Sequence, residues 1–415
     1  MEEKKLSMKQ NVIYNTIGSF FYLACQWLIT ILVVHLGDFK MAGDLTIAIS
    51  LSNTFSTIAN FGMKNYQVSD TKNQYSASEY VSTRVVTCAV AIIIAVVFLG
   101  MNGHYTKAQC AVIFTYIVYR VIEAFVDVIQ GIQQKAYRMD YIGISMIFRG
   151  IGTVLGFVLG LVGFKSLVWA NLWMILLTLL VVVLYDMPKV FHLVKIKIVL
   201  KRNIWNILWA CIPLMITMFL TSSIVTIPRY YLEKMCGREI AGYYGSVATP
   251  TVIIQSLCIM IYTPITPIVA ESYLDRRKKQ YYGIIFKTIA VMLGVSVVMC
   301  IGAALLGKWG LTILFGQEIQ KYAYLFTPIV LTTIMMAFVY FFNMILTVSR
   351  NIKAIVIANA AAVGAIYMVV KPFIRKYNMD GVNYCLYLGL MLAIAIMVLV
   401  WIKDIRNHFK EKNND

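Results

Sequence analysis

Apolar residues are grouped along the chain into about a dozen blocks of roughly 20 residues, the length that an α-helix needs to cross a lipid bilayer. Short polar or charged stretches separate the blocks. The pattern therefore predicts an all-α polytopic membrane protein. Its twelve transmembrane helices are predicted at 11–36, 42–63, 80–100, 108–131, 141–163, 166–185, 204–228, 239–270, 281–305, 322–347, 353–374 and 381–402.

The eighth block is longer than one span needs, and it contains Pro250, Pro264 and Pro267. Because proline removes a backbone donor and kinks a helix, we expect a kinked or broken helix there. The external loops between the blocks are short and poor in carboxylates, and the chain carries no Walker motif. We therefore expect neither an enzyme nor a cofactor. The predicted external loops are 37–41, 101–107, 164–165, 229–238, 306–321 and 375–380.

A basic segment at 188–203 divides the spans into six before it and six after it. Its apolar residues mix with cations, as in an amphipathic segment that lies on the anionic inner leaflet. The sequence thus predicts an N-terminal lobe at 1–187, a cytoplasmic linker at 188–203 and a C-terminal lobe at 204–415. Similar short motifs open the second and eighth spans and indicate two parallel repeats. These motifs are Gly37, Ala42 and Gly43, and Gly237, Ala241 and Gly242.

Lys and Arg concentrate on the side of the membrane that holds the N-terminal tail, which predicts that both termini are cytoplasmic. The chain is 60% hydrophobic and only 13% charged, which excludes a soluble protein of 415 residues. The net charge of +18 lies at the ends of apolar blocks and forms no basic face, so we expect no nucleic-acid partner. The eight cysteines form no C-x-x-C pair, and no metal site is predicted.

Polar side chains recur at steps of three and four on two of the predicted helices, so each set lies on one helical face. Such stripes either join helices by hydrogen bonds or line a water-filled cavity, and their length favours the cavity. On the second span the stripe contains Thr46, Ser50, Asn53, Thr57, Asn60 and Lys64. On the first span it contains Asn11, Asn15, Ser19, Tyr22, Gln26 and Thr30.

Two arginines, Arg120 and Arg149, lie near the middle of the fourth and fifth spans. A buried arginine stays charged and presents a planar fork that suits phosphate or carboxylate. Arg149 has no acidic neighbour at helical spacing, which favours contact with an anionic substrate. Arg120 is followed on the same face by Glu123 and Asp127, so an internal ion pair with Glu123 is as well supported as substrate contact. Either carboxylate is a candidate for coupling transport to an ion gradient.

Three further cations lie near the predicted cytoplasmic ends of spans. Lys64 closes the second-span stripe, and Arg84 and Lys287 lie in matching places of the two halves. Snorkelling of Arg84 and Lys287 to the interface is the simpler interpretation. A headgroup site at the inner mouth is the alternative.

Residues 60–70 read NFGMKNYQVSD and are followed by Glu79, Tyr80 and Arg84, and residues 9–15 read KQNVIYN. These segments resemble the exit of the second span and the start of the first span in bacterial polysaccharide repeat-unit flippases. Those flippases belong to the multidrug/oligosaccharidyl-lipid/polysaccharide exporter (MOP) superfamily. The twelve spans and the basic central linker extend the resemblance over the whole chain.

The resemblance implies two six-helix bundles around a central, cationic cavity. It also implies transport of undecaprenyl-diphosphate-linked oligosaccharides between the leaflets of the bacterial cytoplasmic membrane, for O-antigen or capsule synthesis. The expected partners are the lipid-linked oligosaccharide, membrane lipids, a glycan polymerase and other assembly proteins. Two alternatives stay open: a cation-coupled multidrug exporter of the same superfamily, and a membrane glycan polymerase or ligase.

Overall fold

The computed structural model describes residues 7–70, 74–199, 203–262 and 265–410, and this part of the chain is helical with no β-strand. A π-helical segment at Val182–Asp186 joins α7 to α8, and a 3-10 segment at Gln317–Leu325 precedes α14. The α-helices are α1 (Met8–Leu36), α2 (Phe39–Asn60), α3 (Met63–Ser69), α4 (Ala77–Met101), α5 (Lys107–Lys135), α6 (Met139–Phe164), α7 (Leu167–Val181), α8 (Met187–Leu193), α9 (Asn203–Cys236), α10 (Arg238–Ala248), α11 (Thr251–Tyr262), α12 (Thr266–Leu274), α13 (Lys278–Phe315), α14 (Phe326–Val348), α15 (Ile352–Tyr377) and α16 (Met379–Lys410).

Nine helical stretches of the described chain are long and apolar enough to cross a membrane. The other three predicted spans are α2, α5 and the α10–α12 series. Polar stripes and charged side chains lower the hydropathy of α2 and α5, and breaks interrupt α10–α12. With them, the described residues contain a helical element for each of the twelve predicted spans.

Three helices of the first half begin with the same side-chain motif. Ser7, Ser76 and Thr106 each accept a hydrogen bond from the backbone N–H three residues later. The side chain at that later position in turn accepts a hydrogen bond from the backbone N–H of the cap residue. This capping box satisfies two backbone donors that a helix leaves open, which is why α1, α4 and α5 start where they do.

Glycines on α6 allow two neighbouring helices to pack against its backbone. A Cβ atom on Gly143 would lie 2.3 Å from the carbonyl oxygen of Tyr14 on α1. A Cβ atom on Gly160 would lie 2.4 Å from the Cα of Ala170 on α7. Close packing through small residues is a common way for helices to associate in membranes, where burial of apolar surface gives little driving force. It holds α1 near α6 and thereby positions the polar face of α1.

The chain divides into two compact units, residues 1–222 and 223–415, and the point of division along the sequence falls within α9. The predicted boundary at 188–203 lies earlier. In the first unit, Ile207 and Cys211 of α9 join a buried cluster with Met63, Tyr80 and Ile129. The first part of α9 therefore packs with the N-terminal helices. The predicted linker contains most of α8 and a non-helical stretch at 194–199, and residues 200–202 lie outside the described residues.

The eighth span is broken, as the prolines predicted. α10 ends at Ala248, and α11 begins directly after Pro250. Pro267 lies in the first turn of α12, where its missing N–H costs nothing, and Pro264 lies outside the described residues. The ninth span differs from prediction, because α13 continues to Phe315 through most of the expected loop 306–321. Gly307 there faces Phe326 and makes room for its ring.

Candidate functional site

The polar face of α1 is joined to α5 and α6. The amide of Gln26 donates to the hydroxyl of Tyr119 at 2.9 Å. The hydroxyl of Tyr22 lies 2.8 Å from that of Tyr119 and donates to Oε2 of Glu123 at 2.7 Å. Near the start of the helix, the Asn11 side chain accepts from the backbone N–H of Met139 at 2.8 Å. This stripe therefore joins helices, and its expected part in lining a cavity stays a prediction.

Arg149 is buried among these contacts, where it forms an ion pair that the spacing along its own helix did not predict. Its Nη1 donates to Oε2 of Glu123 at 2.6 Å, and its Nε donates to the hydroxyl of Ser145 at 3.2 Å. Ser145 in turn donates to Asp186 at 3.0 Å. We call Tyr22, Glu123, Ser145, Arg149 and Asp186 the Arg149 network. Arg149 has no acidic neighbour on its own helix, but it finds one on α5.

Arg120 lies beside this network without such a partner. Among the described residues its guanidinium makes no hydrogen bond and no ion pair, and its Nε is buried. Glu123 and the hydroxyls of Tyr22, Tyr116 and Tyr119 are its electrostatic neighbours. Glu123, the acid expected to pair with Arg120, thus forms its ion pair with Arg149 instead. The reason is geometric, because Glu123 faces α6, from which Arg149 reaches it.

Two acids of the Arg149 network keep an oxygen without a hydrogen bond in the described part of the protein. These are Oε1 of Glu123 and Oδ1 of Asp186, and both are buried. Buried polar atoms are rarely left unpaired in membrane-spanning segments, because each costs several kcal/mol. Asp186 also ends the π-helical segment, a distortion that is frequent at functional sites. The site therefore offers one cation with free donors and two carboxylates with free acceptors.

The stripe on α2 is built differently from the stripe on α1. The hydroxyl of Thr57 donates to the α2 backbone at Thr54, and Thr46 does the same at Ala42. Asn53, in the middle of the stripe, is exposed, and its side chain makes no hydrogen bond with a described residue. The middle of this face therefore offers a polar side chain that is not used to join helices.

At the end of α2, polar residues gather around Asp127 of α5. Lys64 and Arg84 both form salt bridges with its carboxylate at 3.1 Å. Arg84 also donates to the carbonyl of Ala59 and to the side chain of Asn60. We call Asn60, Lys64, Arg84 and Asp127 the Lys64 cluster. Two cations share one acid here, so the cluster carries a net positive charge.

Arg84 is fully buried, so the expected snorkelling to the interface is wrong. Its donors are satisfied by the end of α2 and by Asp127, which a sequence cannot show. Lys64 and Asp127 are about a quarter exposed and can meet a ligand. Lys287 is exposed on α13, in the second unit, and Asn15 is half-buried on α1.

Within the motif at 60–84, Asp70 is hydrogen-bonded to residues at and just before the start of α4. Oδ1 of Asp70 accepts from the backbone N–H of Gln74, and Oδ2 accepts from that of Tyr75 and from the Tyr80 hydroxyl. Burial raises the pKa of the Asp70 carboxyl, but these hydrogen bonds and the nearby Lys135 outweigh it and hold the pKa below its usual range. The part of the motif around Asp70 thus has a structural role, because it joins the end of α3 to the start of α4.

Sequence reasoning missed several members of the site. Tyr119 and Ser145 look like ordinary helix residues, and Asp186 directly follows the predicted span 166–185. In the second unit, Arg229 lies within α9, beyond the expected end of that span, and its Nε is buried without a hydrogen bond to a described residue. A charge close to a predicted span end was the available signal. In the described chain no group of three metal-ligating side chains occurs.

Comparison with known proteins gives matches over most of the chain. The sequence profile of a family described as "Polysaccharide biosynthesis protein" matches residues 8–273. The capsular polysaccharide biosynthesis protein CapF of Staphylococcus aureus is 25% identical over 319 residues, 75% of this chain and 78% of that protein. The lipid II flippase MurJ, in an inward closed conformation, is similar with a TM-score of 0.73 and 11% identity, over 96% of this chain and 90% of its own. An inward-facing multidrug resistance MATE family transporter of the MOP superfamily has a TM-score of 0.71 and 14% identity, over 96% and 99%.

Proposed function

Because the chain belongs to the polysaccharide biosynthesis protein family, we propose that it is a flippase for lipid-linked oligosaccharide repeat units. It would carry undecaprenyl-diphosphate-linked units from the cytoplasmic to the outer leaflet of the bacterial cytoplasmic membrane by alternating access. The family match supports a role in polysaccharide synthesis, and the likeness to CapF favours a capsule. The fold is that of membrane transporters and flippases.

One observation carries the proposal: Arg120, whose guanidinium forms no ion pair with a described residue, lies within a membrane-spanning helix next to the paired Arg149. An arginine at mid-membrane is costly, by at least about 2.5 kcal/mol on insertion scales, so such a residue usually serves a substrate or ion route. Its planar fork suits the oxygens of a diphosphate. Arg120 thus replaces Arg149 as the first candidate for the headgroup.

The need for such a site follows from the chemistry of the substrate. Sugars and a diphosphate cannot enter hydrocarbon, because their polar groups would lose their hydrogen bonds. A cation and a polar helix face can replace the lost hydration while the polyprenyl tail stays in lipid. In this proposal Arg120 binds the diphosphate, and Asn53 and Thr57 on α2 and Gln26 and Asn15 on α1 are candidates for the sugars.

Glu123 is the candidate that links binding to a driving force. It already holds Arg149, and one of its oxygens is buried without a hydrogen bond to a described residue. A diphosphate at Arg120 would lie near Glu123 and repel its carboxylate. Taking up a proton or a cation at Glu123 would remove that repulsion. Asp127 stays the second candidate for coupling, although its carboxylate already forms salt bridges with Lys64 and Arg84.

The Lys64 cluster is the proposed place of first contact at the cytoplasmic side. Lys64 is partly exposed, and its cluster has one more cation than anions. An anionic headgroup can approach Lys64 while Arg84 continues to hold Asp127. We propose Lys287 as a matching cation of the second half. Both termini are cytoplasmic in this arrangement, and a glycan polymerase and other assembly proteins are proposed as partners at the outer face.

The test is the leaflet in which the substrate accumulates. In a strain that lacks the protein, lipid-linked oligosaccharide should accumulate in the inner leaflet, and the wild-type gene should reverse this. Arg120→Gln should restore less than about a tenth of export while the protein reaches the membrane in normal amount. The matched control is Arg375→Gln, the same change at an exposed position on α15, which should restore export fully. Full export by Arg120→Gln would remove Arg120 from the proposal.

A cation-coupled multidrug exporter is the second candidate, and the likeness to a MATE transporter favours it. Drugs of that class are often cationic and would be repelled by Arg120. Drug sensitivity of the deletion strain with unchanged surface glycan would reverse the ranking of the two functions.

A further inference from the structure

An apolar crevice of about 280 Å³ lies between α2, α4 and α9 in the first unit. It does not include the Arg149 network or the charged residues of the Lys64 cluster. All but one of its lining side chains are apolar, and two of them are tryptophans. Its walls include Phe61, Val86, Val90, Trp205, Trp209 and Ile212.

One wall of the crevice rests on an unusual backbone turn. Phe61 has a φ of 52° and Gly62 a φ of 65°, so two successive residues are left-handed where α2 ends. A bulky residue rarely adopts this conformation, and such strain concentrates at functional sites. A Cβ atom on Gly62 would lie 2.8 Å from the Cβ of Leu214, so α9 packs closely against this turn. The turn therefore sets the distance between α2 and α9.

The face of α4 that lines the crevice continues to the basic segment. Ser78, Ser82, Val86 and Val90 follow one another at steps of four and share one face. Ser78 accepts a hydrogen bond from the backbone N–H of Lys197 at 3.1 Å. Ser82 accepts a hydrogen bond from the backbone N–H of Val199 at 2.9 Å. These two bonds hold the segment 194–199 against α4, at the end of the crevice.

The environment of the crevice is that of a membrane interface. Trp205 and Trp209 lie in the first turns of α9 and are 64% and 72% exposed. Tryptophan prefers the boundary between lipid tails and headgroups. Lys195 and Lys197 are exposed on the adjoining segment. An apolar crevice thus ends beside two cations at the level of the headgroups.

We propose that this crevice binds the isoprenoid tail of the lipid carrier while Lys195 and Lys197 contact its diphosphate; this rests on the proposed flippase function. A single apolar crevice of about 280 Å³ suits a segment of one branched chain better than the two chains of a phospholipid. A diphosphate also brings more negative charge to the two lysines than a phosphodiester does. Held in this way, the tail would keep the headgroup close to the Lys64 cluster, two of whose members, Asn60 and Lys64, flank the same turn.

The test uses the purified full-length protein in nanodiscs of phosphatidylethanolamine and phosphatidylglycerol. The probe is undecaprenyl diphosphate with a photoreactive diazirine in its tail, and labelled peptides are identified by mass spectrometry. We expect labels on α4 and α9 around the crevice. Val86→Trp, which fills the crevice, should lower this labelling about tenfold. Val96→Trp, an exposed position on another face of α4, is the matched control and should not lower it.

The charge part is tested with a second pair of probes. Lys195→Gln/Lys197→Gln should weaken binding of the diphosphate probe roughly tenfold. It should leave an uncharged undecaprenol probe unaffected. Equal labelling by a phosphatidylglycerol that carries the same diazirine, or no effect of Val86→Trp, would overturn the proposal in favour of bulk lipid. Glycan export that continues in Val86→Trp without crevice labelling would reject the crevice alone, whereas labelling in a protein that moves no glycan would reject the flippase function alone.

Discussion

The first two helices carry polar stripes that look alike in sequence but differ in the structure. On α1, Tyr22 and Gln26 reach across to α5 and α6. On α2, Thr46 and Thr57 bond to their own backbone, and Asn53 is exposed. The stripe on α1 therefore joins helices of the first unit, whereas the middle of the stripe on α2 leaves the Asn53 side chain available.

The difference follows from what each helix faces. α6 presents glycines to α1, so their backbones approach closely and the polar side chains of α1 reach partners on α5 and α6. The hydroxyls of α2 are short and find acceptors one turn back, which satisfies them without a neighbour. Helical periodicity thus identifies a polar face, but side-chain length and the neighbouring helix decide whether that face joins helices or serves a ligand.

The largest expected effect comes from breaking the Arg149 network. Arg149→Met leaves Glu123 as an uncompensated buried charge, and such changes cost about 3 to 5 kcal/mol. We expect a matching loss in the free energy of unfolding of the purified protein in detergent. The double variant Glu123→Met/Arg149→Met should recover most of that loss, because neither charge remains. A single variant as stable as the wild type would show that α1, α5 and α6 do not depend on this pair.

A smaller effect is expected from Tyr22→Phe, which tests the stripe on α1 directly. The change removes the hydroxyl that donates to Glu123 and lies against that of Tyr119, and it preserves the ring. We expect a loss of about 1 to 3 kcal/mol in the free energy of unfolding, measured by denaturant titration. Tyr14→Phe, at an exposed position on the same helix, is the control. An unchanged midpoint in Tyr22→Phe would contradict a structural role for this stripe.

Most of the fold could be predicted because the bilayer restricts the choices. Helices at the predicted apolar blocks, the break at Pro250 and the relation to the polysaccharide biosynthesis protein family are confirmed. The errors lie at the ends of helices. α13 passes through an expected loop, where Gly307 accommodates the ring of Phe326 and does not end the helix. α9 likewise continues past the predicted end of its span, to Cys236.

The site could be predicted less well, because its contacts run between helices that are distant in sequence. Arg120, Arg149 and Glu123 were recognised as a group, since charges are rare within spans. Which arginine Glu123 contacts depends on the rotation of α5 relative to α6, and no spacing within one helix contains that information. Arg84 shows the same limit, because its acceptors lie on α2 and α5.

The smallest effect on stability, and the sharpest test of the comparison, is expected from Asn53→Ala. The Asn53 side chain is exposed and makes no hydrogen bond with a described residue, so its removal should change the free energy of unfolding by less than about 0.5 kcal/mol. If α2 provides contacts for the sugars, export of the glycan should nevertheless fall several-fold. The two readouts separate the roles, because a helix-joining residue such as Tyr22 loses stability first. Unchanged export with unchanged stability would mean that the stripe on α2 serves neither purpose at Asn53.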